Sequence, residues 1–135
     1  MPNAADYKHI EGYTDQVYSK VFEYDFANDT GAQGTYVMGL FKHKAIVLRS
    51  KVFVETACGS VGSATVAIGT SVADPDAFMD ATSGAVANLI DDFLHVESTS
   101  ENLVVAADET LDLIIATADL NAGKIKVILE CLNVA

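Results

Sequence analysis

Hydrophobic and polar residues alternate with a period of two along most of this chain. Such alternation, rich in aromatic and β-branched residues, is typical of strands that bury one face. Gly39 interrupts one alternating segment, which indicates a bulge or a close approach of another segment. Frequent strands with short turns favour a mainly all-β fold, a sandwich or a barrel. Seven strands are predicted, or eight, and the seven are residues 16–26, 35–41, 46–55, 63–68, 102–106, 111–116 and 124–132.

The clearest alternation lies in residues 45–69. Two strands, 46–55 and 63–68, flank a connector of small residues, so we predict a β-hairpin with one buried face. The residues predicted to face the core are Ile46, Leu48, Val52, Val54, Ala64, Val66 and Ile68.

Two segments favour helix. Asp74 can accept hydrogen bonds from the free N–H groups at a helix start, and Pro75 suits the first turn, so residues 74–80 predict a short helix. Residues 83–95 place apolar side chains at helical spacing and also predict a helix. An irregular loop containing a strand is the alternative for this second segment.

At 135 residues the chain fits one domain. Residues 1–15 show no periodicity and are predicted to form an N-terminal arm, followed by a β-sandwich domain over residues 16–135. Tyr7, Ile10 and Tyr13 stand among polar residues in this arm. Such an arm either becomes ordered against a partner or remains a loose tail.

The chain is strongly acidic, with a net charge of −11. Residues 52–123 contain no Lys or Arg, so the surface formed by these residues is expected to repel phosphate and anionic lipid. We therefore expect no direct nucleic-acid binding. No apolar run approaches the roughly 20 residues of a membrane helix, so no membrane association is expected. The acidity itself serves solubility or faces outward on an assembly. Lys42, Lys44, Arg49 and Lys51 form a local cationic patch that could meet a partner.

No catalytic motif, cofactor fingerprint or zinc-ligand spacing is present, so no enzyme, cofactor or metal is predicted. With no secretion signal visible, Cys58 and Cys131 are expected to be free thiols, and Cys131 takes the inward phase of the last strand. Asp74, Asp76 and Asp80 could hold Ca²⁺, but helix capping explains the same residues and is favoured.

The strand at 16–26 carries an aromatic face. Tyr18, Phe22, Tyr24 and Phe26 share one phase, with Lys20 in the middle. This face is either a platform on which sugars stack or part of the core or of a subunit interface, and the latter is the more common use.

Several segments resemble small structural proteins of tailed-phage virions. The resemblance covers about two thirds of the chain, and its motifs are strand and turn signatures. The matching segments are AIV at 45–47, VFVET at 52–56, GSATVAIG at 62–69, DPDAFM at 74–79 and ADLNAGKIKV at 118–127.

The resemblance implies a capsid decoration (cement) protein, which is a jelly-roll-like antiparallel β-sandwich with one or two short helices. Such a protein is made in the host cytoplasm and sits on the outer capsid surface. It binds the major capsid protein and itself, as a trimer in preference to a dimer. The candidate partner-binding residues are Tyr7, Ile10, Tyr13, Lys42, Lys44, Arg49 and Lys51. Another virion component, such as a head-fibre base or tail protein, and a carbohydrate-binding module remain as alternatives.

Overall fold

The computed structural model describes residues 17–97 and 102–134. The predicted arm at 1–15 lies outside these residues. Two short helices are present in the described part: α1 (Phe26–Asp29) and a 3₁₀ helix (Val86–Asn88). The eight strands found there are β1 (Tyr18–Asp25), β2 (Gly34–Leu40), β3 (Ala45–Gly59), β4 (Thr65–Thr70), β5 (Leu94–Val96), β6 (Leu103–Val105), β7 (Thr110–Ala116) and β8 (Ala122–Asn133).

The strands form two antiparallel sheets that face each other. The five-stranded sheet has the order β1-β8-β3, and β5 and β6 both pair with the far edge of β3. The three-stranded sheet has the order β2-β7-β4. Residues 79–85 bridge to β4 at Ile68–Met79 and Thr65–Ala85. Successive strands from β1 to β4 alternate between the sheets, so the predicted jelly-roll-like antiparallel sandwich is confirmed.

The core lies between the sheets and is built from the inward phase of each strand. On β8, Ile125, Val127, Leu129 and Cys131 are all fully buried, and the inward phase predicted for Cys131 is confirmed. Each fully buried aliphatic side chain contributes about 1.5–3 kcal/mol of transfer free energy. Opposite them lie Val66 and Ile68 of β4 and Leu111, Leu113 and Ile115 of β7.

The hairpin predicted over residues 45–69 is wrong. β3 pairs with β8, β5 and β6, whereas β4 pairs with β7 in the other sheet. Each strand does bury one face, as its alternation indicates, but the two buried faces meet across the core. β3 also continues through Gly59 and takes up half of the predicted connector.

A β-bulge changes the phase of β3. The register with β8 shifts between Val47 and Arg49, and an extra residue at such a point reverses which side chains face inward. Ala45 and Val47 are therefore buried in place of Ile46 and Leu48, which were predicted inward and are only half-buried. After the bulge Ser50, Val52 and Val54 face the core as expected.

The helix predicted at 74–80 is wrong, because these residues form turns. Ala77 N–H donates to the Asp74 carbonyl over 3.2 Å, and the chain then runs beside β4. There Phe78 and Met79 exchange backbone hydrogen bonds with Ile68 and are fully buried. Burial of these two side chains against the sheet outweighs the local preference for helix.

The helix predicted at 83–95 is also wrong, and the alternative of a loop with a strand is correct. The segment holds turns, the 3₁₀ helix and β5. Leu89 is buried, whereas Ile90 and Leu94 are more than half exposed, so the helical spacing does not form one buried face.

Candidate interaction surfaces

The acidic cluster at 74–80 stabilises turns. Among the described residues no group of His, Cys, Asp or Glu could hold a metal ion. The Asp74 carboxylate accepts from the Asp76 N–H (3.3 Å). The Asp80 carboxylate accepts from the Ser83 N–H (2.7 Å), and this hydrogen bond lowers the pKa of Asp80. These are the local hydrogen bonds that Asp side chains make in turns.

The aromatic face of β1 points into the core. Tyr24 is 1% exposed and meets the Tyr36 ring edge-on, with centroids 5.7 Å apart. The Phe22 and Phe41 rings lie 6.4 Å apart. A sugar-stacking platform requires an exposed aromatic plane, and the buried position of Tyr24 excludes that ring from such a platform.

Both cysteines, each within the described residues, are free thiols, as predicted. Cys131 faces the core from β8, and Cys58 is buried near the end of β3. Burial raises the pKa of each thiol to about 11. Because the thiolate is the reactive form, neither cysteine is suited to catalysis or metal binding.

The cationic patch divides into two surfaces. Lys42 and Lys44 lie exposed in the turn between β2 and β3, which we call the corner (residues 42–44). Arg49 and Lys51 lie exposed on β3, on the outer face of the five-stranded sheet. The bulge before Arg49 directs both side chains away from the core.

This outer face carries apolar side chains where an antiparallel sheet is usually polar. Val21, Leu94 and Val96 on it are 59%, 51% and 57% exposed. Two adjacent cross-strand rows define the outer face: Val21, Ile128, Lys51 and Val96, and Glu23, Lys126, Phe53 and Leu94.

Ion pairs border these rows. Arg49 Nη1 lies 3.6 Å from Glu130 Oε2, and Lys126 Nζ lies 3.3 Å from Glu55 Oε2. Lys124 Nζ lies 3.8 Å from the same Glu55 oxygen. Exposed pairs of this kind add little stability. Their three cations and Lys51 together place half of the chain's Lys and Arg residues on one face of an acidic protein. The sequence could not show that Lys124 and Lys126 lie beside β3.

A third surface is the side of the sandwich where β1 and β2 lie next to each other. In the described sheets both are edge strands, since β1 pairs with β8 alone and β2 with β7 alone. Val37 and Leu40 of β2 are 66% and 43% exposed, and Val17 before β1 is 56% exposed. We call this surface, formed by residues 17–25 and 34–43, the open side.

Two cavities lined by described residues open on this side. The larger has a volume of about 310 Å³ and lies next to the corner. Its lining is formed by Val17, Tyr18, Lys20, Phe41, Lys42, His43 and Asn133. The Tyr18 hydroxyl donates to Asn133 Oδ1 (2.5 Å), and burial raises the pKa of Tyr18. The smaller cavity, about 200 Å³, lies between Tyr24, Tyr36 and Val37.

Comparison with solved structures finds the same fold in chains of phage capsids. A chain of the cyanophage Pam1 capsid asymmetric unit matches with a TM-score of 0.64 at 12% identity, covering 98% of both chains. A chain of the Ralstonia phage GP4 capsid matches with a TM-score of 0.65 at 13% identity, covering 98% of this chain and 94% of that one. This fold occurs in phage capsids.

A third match agrees with these two. A chain of the acidic stable capsid structure of Helicobacter pylori bacteriophage KHP30 has a TM-score of 0.60 at 13% identity, covering 86% of each chain. No family model and no curated protein matches the sequence. Neither helix in the described part is long and apolar enough to cross a membrane. The three structural matches establish a shared fold.

Proposed function

We propose that this protein is a structural component of a tailed-phage virion, a decoration (cement) protein bound to the outer capsid surface. The observation that carries this proposal is the match over 98% of both chains to a component of a phage capsid. Coverage of both chains means that the capsid component is about as long as this protein. A chain of that capsid therefore shares this fold over nearly its whole length.

The proposed role is structural and non-enzymatic. The protein is made in the host cytoplasm and binds the major capsid protein after or during shell assembly. A protein that binds the assembled shell, and not its dissociated subunits, stabilises the shell by its binding free energy. A homo-oligomer, for which we favour a trimer, links several such contacts and raises the overall affinity through effective concentration.

The outer face is the surface best suited to contact the shell. It combines the exposed apolar residues Val21, Leu94 and Val96 with Arg49 and Lys51. Exposed apolar groups bordered by charge are the usual composition of an interface core with its rim. The cations of this face would attract a shell surface rich in carboxylates and would orient the protein on it.

A matched pair of charge reversals tests this proposal. R49E/K51E and K42E/K44E change the net charge equally, but the first alters the outer face and the second the corner. We expect R49E/K51E to fold normally and to lose at least tenfold in affinity for shells lacking the protein, measured by co-sedimentation. K42E/K44E is expected to keep the affinity of one chain for one shell site, even where loss of the oligomer lowers its overall retention. Equal binding by wild type and R49E/K51E would remove the outer face from the shell contact.

A second comparison tests the location in the virion. Purified heads and purified tails of the same phage are incubated separately with the labelled protein and sedimented. Retention by heads alone supports the decoration role. Retention by tails alone would instead make the protein a tail component and overturn the proposal.

A further inference from the structure

The open side has features that the proposed shell contact does not use. β1 and β2 each present an edge that no described strand covers. The edge of a strand carries unpaired backbone N–H and C=O groups and binds extended segments readily. The exposed valines Val17 and Val37 and Leu40 lie along these two strands. Both backbone and side chains of this side are therefore suited to an extended peptide.

The larger cavity favours a peptide of a particular composition. Val17, Tyr18 and Phe41 supply apolar lining, and Phe41 itself is 1% exposed. Lys20, Lys42 and His43 supply the polar part of the same lining. An apolar or aromatic side chain flanked by carboxylates fits this combination of apolar lining and cationic groups.

Residues 1–16 of this chain have that composition. Tyr7, Ile10 and Tyr13 are interspersed with Asp6, Glu11 and Asp15, whereas Lys8 is the one Lys or Arg there. Three carboxylates against one cation give this segment a formal charge of −2. Sixteen residues extend to roughly 50 Å, which is about the length of β3, the longest described strand, and is sufficient to reach an adjacent copy.

The position of Val17 favours binding of residues 1–16 to a second copy over binding to their own copy. Val17 precedes β1 and already lines the cavity. A straight continuation of β1 beyond Val17 would leave the sandwich at the end where β8 also ends, since Tyr18 lies opposite Cys131, and would point away from β2. To occupy its own cavity the segment would have to reverse direction immediately, whereas a neighbouring copy receives it without a reversal.

We propose that residues 1–16 of one copy bind along the open side of a second copy, next to β2, with Tyr13 or Ile10 in the cavity beside the corner. The inference rests on the oligomer of the proposed function but not on shell binding. By this inference Tyr7, Ile10 and Tyr13 make contacts between copies. Lys42 and Lys44 pair with the acidic residues of the neighbour's segment.

Photocrosslinking of the purified full-length protein tests this proposal without any shell. Benzoylphenylalanine replaces Tyr13, the protein is irradiated, and the products are separated on a denaturing gel and mapped by mass spectrometry. A two-chain product with adducts in residues 17–25 or 34–44 is expected. A one-chain product with adducts there would overturn the choice of a second copy. Adducts elsewhere, or no product, would overturn the proposal.

A control variant and a mass measurement accompany this experiment. Benzoylphenylalanine at Val61, which is 97% exposed and follows the other end of β3, should give no adduct on the open side. Deletion of residues 1–16 and K42E/K44E should each lower the solution mass to that of one chain while leaving the unfolding midpoint within a few tenths molar of denaturant. An unchanged oligomer mass in both would contradict the proposal. A protein that crosslinks as expected but binds no shell would refute only the proposed function.

Discussion

Gly39 of β2 lies against the ring of Phe22 of β1, and a Cβ at Gly39 would overlap the ring atoms Cε1 and Cδ1. The two strands belong to different sheets, so this contact sets how closely the sheets approach on the open side. The sequence prediction of a bulge or close approach at Gly39 is confirmed in both respects, since the register of β2 also shifts between Val37 and Gly39.

Replacement of Gly39 by alanine is expected to destabilise the protein by about 1–3 kcal/mol, because the added methyl forces the Phe22 ring or β2 to move. Denaturant unfolding measures the change. The variant F22L/G39A provides the control, since a smaller side chain at position 22 leaves room for the methyl. The double variant should therefore lose less free energy of unfolding than the sum of the losses in the two single variants. Strict additivity would show that the ring does not limit the spacing.

Glu109 is expected to make stability depend on pH. It is 4% exposed, and its carboxylate accepts from the N–H groups of Val72 (2.8 Å), Ala73 (2.5 Å) and Ala106 (3.0 Å). Burial alone would raise the pKa of Glu109, but these hydrogen bonds outweigh burial and lower it below its ordinary value of 4.5. The stabilisation is therefore complete above pH 4.5 and is lost as the pH falls through the lowered pKa.

The variant E109Q tests this linkage. At pH 7 the free energy of unfolding of E109Q should be about 1–3 kcal/mol lower than that of wild type, because the amide replaces a charged acceptor. The difference between the two proteins should shrink as the pH falls below 4.5, since wild-type Glu109 then becomes protonated. Subtracting the two stability profiles removes the contribution of the other carboxylates. A difference that stays constant down to pH 3 would contradict the assignment.

The sequence was sufficient to predict which side chains face the core where this depends only on alternation within one strand. The inward residues of β8 and β4 follow strictly from that alternation. The bulge in β3 was not predictable, because Ile46, Val47 and Leu48 are all apolar and either phase fits them. Pairing was not predictable either, since alternation shows which face is buried but not which strand lies beside it.

The surfaces were predicted in part for the same reason. The four cations of the patch are exposed, but the sequence could not show that the bulge separates Arg49 and Lys51 from the corner. The open side combines strands whose neighbours are far away in the chain. The turn at 74–80 was mistaken for a helix because the contact of Phe78 and Met79 with Ile68 is a tertiary interaction that local propensity does not include.

The two thiols are expected to be unreactive in the folded protein. Burial and a pKa of about 11 keep Cys58 and Cys131 protonated near pH 7.5. A chromogenic disulfide reagent should label fewer than a tenth of a thiol per chain in minutes under native conditions. In 6 M guanidinium chloride it should label two. Rapid native labelling of one thiol would show that its part of the core opens readily.

The apolar residues of the outer face are expected to contribute to shell binding without supporting the fold. L94S/V96S removes exposed apolar groups, and such surface changes usually alter stability by no more than about 0.5 kcal/mol each. Affinity for shells should fall at least tenfold in the co-sedimentation assay. V72S is the matched control, because Val72 is 78% exposed and lies in the loop after β4. Equal loss in both variants would indicate a general effect of surface hydrophobicity.

The central place of β8 has a consequence for biosynthesis. β8 lies between β1 and β3, with Cys131 opposite both Tyr18 and Val47. Among the described strands β1 thus has no partner until β8, with Cys131 more than a hundred residues after Tyr18, has been translated. Chains whose pairings are this distant in sequence fold more slowly than those with local pairings. The five-stranded sheet therefore closes only after β8 has left the ribosome.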